Sequence, residues 1–123
     1  MELKLSPLAK TWIFDLDGTL VEHNGYKTGE DKLLPGVLNF MQKIPATDYI
    51  LIITGRELEA QTQTINFLNK AGIRFNKIIF GLPFGERILI NDDKPSGLKT
   101  SYAVCLQRNS GLADVNFVID ENL

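Results

Sequence analysis

The chain has 123 residues, a formal net charge of −2 and 44% apolar residues, which suits one compact domain with a core able to fold alone. The near-balanced charge supplies no basic field and argues against a nucleic-acid partner. The single cysteine, Cys105, excludes an internal disulfide, and the chain carries neither a signal-like apolar run near Met1 nor a stretch approaching the roughly 20 apolar residues of a membrane span. These features point to a cytoplasmic protein with no membrane partner.

Strand-like apolar runs recur along the chain at Thr11–Phe14, Tyr49–Ile53, Lys77–Phe80, Ile88–Ile90, Ala103–Leu106 and Phe117–Ile119. The Ile- and Val-rich ones read as strands covered on both faces. The polar stretch Glu22–Lys32 carries an Asn24-Gly25 turn signal and reads as a short hairpin or loop. Pro35-Gly36 opens a helix with Val37, Phe40, Met41 and Ile44 on one face, and Pro45 stops it. A longer helix is expected from Glu57 to Ala71, with Leu58, Ile65 and Leu68 as its stripe and Gly72 beyond its end. A third, short helix is expected near Pro95-Ser96-Gly97. Strands alternating with helices predict an α/β fold with a mainly parallel sheet, formed by one domain over residues 1–123.

The most informative residues are Asp15-Leu16-Asp17-Gly18 at the end of the Trp12–Phe14 run. Alternation along a strand sends both carboxylates to one side. Two acids that close repel each other unless a cation or a shared proton holds them. The pair therefore suggests a metal-assisted reaction with one carboxylate as nucleophile and the other as acid or base. In open α/β sheets ligands bind beyond the C-terminal ends of the strands. There the second run delivers Thr54-Gly55-Arg56, and Ile88-Leu89-Ile90 delivers Asn91-Asp92-Asp93.

In these segments the sequence resembles the haloacid dehalogenase-like superfamily of phosphotransferases. Asp15-Leu16-Asp17-Gly18-Thr19 resembles its first motif, Thr54 its second and Asp92-Asp93 its acidic fourth, in order over residues 12–93. The resemblance implies a Rossmann-like three-layer sandwich, Mg²⁺ and an aspartyl-phosphate intermediate. By the same resemblance, Asp15 attacks phosphorus, Asp17 is the general acid and base, and Thr54 bonds a phosphoryl oxygen. Asp92 and Asp93 would hold the metal with Asp15 and the Asp17 carbonyl, while Leu16, Gly55 and Arg56 would meet the substrate. Magnesium suits the chemistry, because a carboxylate attacks a phosphate dianion only when a cation offsets the charge.

The family's third motif is a lysine or arginine. This chain has Gly81-Leu82-Pro83 where some small relatives carry Gly-Lys-Pro. Arg87, on an extended strand, would lie roughly 15 Å from Asp92 at about 3.3 Å per residue. Lys94 is therefore the preferred cation, ahead of Lys99 and Arg56. No room remains for a cap domain, so the site should be open, unless the 22–32 hairpin or another subunit of a homo-oligomer covers it.

The same residues admit simpler readings. A calcium loop beginning at Asp15 would need Gly and Glu where Leu20 and Tyr26 stand. Arg56 could form a surface pair with Glu57 or Glu59. His23 reads as a solvated surface residue, and Cys105 and Trp12 read as core. The expected function is a Mg²⁺-dependent phosphomonoesterase acting on a small phosphorylated substrate. A looser resemblance to small phosphatases of capsule and surface-polysaccharide synthesis favours a sugar phosphate. The alternatives are an idle binding or regulatory domain of the same fold and a phosphatase of a macromolecular substrate.

Overall fold

The computed structural model describes residues 1–123 as a mixed α/β domain with two small parallel sheets. One sheet contains β2 (Thr11–Asp15), β3 (Tyr49–Ile53) and β4 (Lys77–Ile79), side by side in chain order. Thr11 lies opposite Tyr49 and Asp15 opposite Ile53, so β2 and β3 end together. Parallel neighbours need long crossovers. The first crossover contains α1 (Gly25–Thr28) and α2 (Val37–Lys43), and the second contains α3 (Gln61–Lys70). The other sheet pairs β1 (Glu2–Leu5) with β5 (Asn116–Ile119).

The core lies on one face of the larger sheet. Phe14, Ile50 and Ile52 are buried there with Val37, Phe40 and Met41 of α2 and Leu68 of α3. Trp12 stacks on Phe14 and meets Phe40 edge-on, with Phe117 of β5 at 4.9 Å between ring centroids. This aromatic cluster joins the two sheets. Asp48 anchors its rim, accepting hydrogen bonds from the Trp12 indole and the Lys10 amide. The opposite face is more open, and Ile13 on β2 is exposed there.

The structure departs from the sequence expectations at several segments. The run Ile88–Ile90 is not a strand, and Ile88 and Ile90 are 83% and 91% exposed. Its flanks explain this: Pro83, Gly85, Pro95 and Gly97 favour turns, and residues 91–100 bond mainly to one another. Asn91 donates to the Thr100 hydroxyl at 2.9 Å, the Thr100 hydroxyl donates to the Asp92 carbonyl, and Lys94 N–H donates to Leu98 O. Pro95-Ser96-Gly97 forms a turn rather than a helix, and Ala103–Leu106 is irregular with Cys105 exposed. The expected helix from Glu57 begins as a 3-10 turn at Leu58–Ala60 and becomes α-helical from Gln61. The 22–32 stretch is closed as a hairpin would be, by Glu22 N–H to Lys32 O and Leu34 N–H to Leu20 O, but its tip is the short helix α1. No helix is long and apolar enough to cross a membrane.

Candidate active site at the carboxylate edge

Asp15 is the last residue of β2, and the chain then folds tightly back on itself. The N–H groups of Thr19, Leu20 and Val21 all converge on the Leu16 carbonyl, while Gly18 N–H reaches Val21 O at 2.7 Å. Gly18 makes this turn with φ of 84°, a backbone conformation that side-chain-bearing residues rarely adopt. Leu16 itself is buried in the core, so only its backbone belongs to the edge.

The two acids have different partners. Asp15 remains 35% exposed at its side chain; it accepts the Thr19 hydroxyl at 3.1 Å and the Arg87 guanidinium at 3.4 Å. Asp17 is gripped by Arg56, whose Nε and Nη2 each reach one of its oxygens at 2.9 Å. An extended strand would hold Arg87 away from this edge. The 82–90 segment is irregular, however, and folds Arg87 back to Asp15.

Arg56 is not on the surface and pairs with neither Glu57 nor Glu59. Its side chain is 1% exposed, as is that of Asp31, which it meets at 2.7 Å. Nη1 also donates to Asp31 at 3.0 Å and to the Thr64 hydroxyl at 2.9 Å. The Tyr26 ring lies against the guanidinium, 3.8 Å from its centroid to Cζ. Every guanidinium N–H therefore has a partner within the protein, leaving none for a substrate. Burial works against the charge, but hydrogen bonds and attraction from Asp17 and then Asp31 outweigh it and hold the Arg56 pKa above its ordinary value. This network links the turn after β2, the 22–32 loop, the end of β3 and α3. Sequence reasoning missed Tyr26, Asp31 and Thr64. Thr64 had a detectable signal, since it stands one helical turn before Leu68 on the buried face of α3.

Thr54 follows β3 at the same edge as Asp15. It is buried, and its hydroxyl accepts the Arg56 amide at 3.0 Å, shaping the turn that sends Arg56 inward. Gly55 lines a cavity beside this turn, and the Phe84 ring sits where a Gly55 side chain would project.

Asp92, Asp93, Lys94 and Lys99 are exposed in the 91–100 loop. Three His, Cys, Asp or Glu side chains gather nowhere in the chain into a group able to hold a metal ion. The expected four-residue ligand set is therefore not assembled, because its second half depended on a strand at Ile88–Ile90. What remains at the edge is the Asp15 carboxylate and the Asp17 carbonyl, which accepts no hydrogen bond. Both are oxygens, the ligand type that magnesium takes. Compared with protein-family models, curated proteins and solved structures, the chain matches none.

Proposed function

We propose that this chain is a phosphomonoesterase that transfers the phosphoryl group to Asp15. The observation that carries the proposal is the state of that carboxylate. It ends a parallel strand at the ligand-binding edge, keeps part of its surface open, and lies beside a hydroxyl and a guanidinium. Arg87, rather than Lys94, would offset the repulsion between Asp15 and a phosphate dianion. The proposal includes the finer architecture of a capless, Rossmann-like sandwich and a cytoplasmic setting.

In the first step an Asp15 oxygen forms a bond to phosphorus as the ester P–O bond breaks, and Asp17 gives a proton to the departing alkoxide. In the second step Asp17 takes a proton from water as that water attacks phosphorus, and the bond from phosphorus to Asp15 breaks. Inorganic phosphate and free Asp15 result. Arg56 does not touch the substrate; it aims Asp17 by holding both its oxygens, and positioning of this kind supplies much of the acceleration in phosphoryl transfer. Magnesium, held by Asp15 and the Asp17 carbonyl, would supply neutralisation of phosphate charge. The looser resemblance to polysaccharide-synthesis phosphatases makes a sugar phosphate the preferred substrate.

A binding or regulatory domain is the second reading. It is favoured by the separation of Asp92 and Asp93 from Asp15 and by the closed Arg56 network. A Mg²⁺-dependent assay against a panel of phosphate esters separates the two. Turnover lost in Asp15→Asn supports the enzyme; folded wild-type protein that hydrolyses no ester supports the binding domain.

A further inference from the structure

The stretch 107–112 lies across the turn that carries the two acids, although it is far from that turn in sequence. Leu112 anchors it: the residue is buried in the core, and its N–H donates to Pro35 O at 2.8 Å. Gly111, with φ of 77°, packs so closely that a side chain there would collide with the Pro35 carbonyl. Ahead of this anchor the chain turns at 107–110, closed by the Ser110 N–H and hydroxyl on Gln107 O at 3.1 and 2.8 Å. Asn109 is held in this turn at φ of 66°, a left-handed conformation that is strained for most residues with a side chain and gathers at functional sites.

Asn109 bridges two segments of the site. Its N–H donates to Gly18 O at 2.9 Å, and its side-chain Oδ1 accepts the His23 N–H at 2.8 Å. The stem of Arg108 lies over the same turn, since a side chain at Gly18 would meet Arg108 Cγ at 3.1 Å. Arg56 joins the same two segments from inside, with Asp17 of the turn and Asp31 of the 22–32 loop both on its guanidinium. Turn and loop are therefore fastened twice, by a buried arginine and by an exposed asparagine. Gly18 follows Asp17 directly. Releasing the outer fastening would let the turn rotate about Arg56 and spoil the two parallel bonds that aim Asp17, because bidentate pairs are exacting in geometry.

We propose that Asn109 is a positioning residue for Asp17. It fixes the acid turn against the 22–32 loop, so that Arg56 holds both Asp17 oxygens. The catalytic consequence rests on the phosphomonoesterase reading: Asn109 serves the step in which Asp17 gives its proton, and it touches no substrate. Loss of one hydrogen bond of this kind should weaken that step about fivefold.

Asn109→Gly tests this, because glycine keeps the left-handed backbone and its N–H while removing the side-chain acceptor. In that variant kcat/KM should fall about fivefold for an alkyl phosphate and stay near the wild-type value for an activated aryl phosphate, whose leaving group needs no proton. A second readout needs no substrate. The Arg56 Nε proton lies on Asp17, and its exchange with water, followed by NMR, should quicken about fivefold while the β3 amides of Ile50 and Ile52 exchange as before. Equal losses with both esters, no loss with either, or exchange that quickens no more at Arg56 than in β3 overturns the proposal. Faster exchange confined to Arg56, in a protein that hydrolyses no ester, upholds the link from Asn109 to Asp17 and overturns only the phosphatase reading.

Discussion

Removing the Arg56 guanidinium should destabilise the fold more than any other single change at the carboxylate edge. In Arg56→Met, Asp31 loses its ion pair while its side chain stays at 1% exposure. Asp17, at 16% side-chain exposure, can recover water instead. Breaking one side of a buried pair costs about 3–5 kcal/mol, because the remaining charge is uncompensated. That is a large share of the 5–15 kcal/mol, roughly, that stabilises a typical domain. Urea unfolding followed by circular dichroism is the assay. With a slope of about 1.5 kcal/mol per molar, the midpoint should fall by roughly 2–3 M. The Arg56→Met/Asp31→Leu double variant removes both buried charges, so it should recover most of the loss. A single variant that costs less than about 1 kcal/mol, or a double variant as unstable as the single, would refute the buried-pair reasoning.

Other expectations concern the chemistry and the scaffold. Asp17→Asn should lower kcat/KM, which reports only the steps through transfer to Asp15, far more for alkyl phosphates than for activated aryl phosphates, whose leaving groups need no proton; equal losses in kcat/KM contradict the acid role. Arg87→Ala should lower kcat/KM by about tenfold while shifting the urea midpoint little, since exposed pairs contribute roughly 0–1 kcal/mol. An unchanged kcat/KM would remove Arg87 from the site. Asp48→Ala strands the Trp12 indole and the Lys10 amide, and a cost of about 2–3 kcal/mol is expected in the same unfolding assay.

The sequence made the central strands and helices legible because burial of side chains controls their periodicity. Tyr49–Ile53 alternates Ile50 and Ile52 inward, and Val37, Phe40 and Met41 recur at helical spacing. β1 escaped because Glu2-Leu3-Lys4-Leu5 is short and half polar, and its only partner is β5, at the far end of the chain. Ile88–Ile90 failed for the opposite reason. Composition gives it strand character, but a strand also needs a ladder partner, and turn-forming flanks keep this run apart. The chemistry of the edge changes with it. Only such a strand would bring Asp92 and Asp93 to the metal and keep Arg87 away from the site.

At the site, residues close in sequence were easier to read than those joined only in space. Asp15, Asp17, Thr54 and Arg56 all stand at strand ends or in the turns after them, where alternation and the open-sheet rule direct attention. Asp31 and Tyr26 lie in a polar loop with no periodicity, 25 and 30 residues before Arg56 in the chain. Nothing local marks them as its partners. The buried, fully paired state of Arg56 follows from those contacts, so it could emerge only from the fold.

The most direct test of the account is chemical capture of the phosphorylated residue. The Asp17→Asn variant, incubated with an activated aryl phosphate and Mg²⁺, should accumulate covalent phosphate because activation of water is impaired while the leaving group departs unaided. Acid quenching and peptide mapping by mass spectrometry should place that phosphate on Asp15. Label on another residue, or no covalent label while the wild-type protein hydrolyses the same ester, would contradict nucleophilic attack by Asp15.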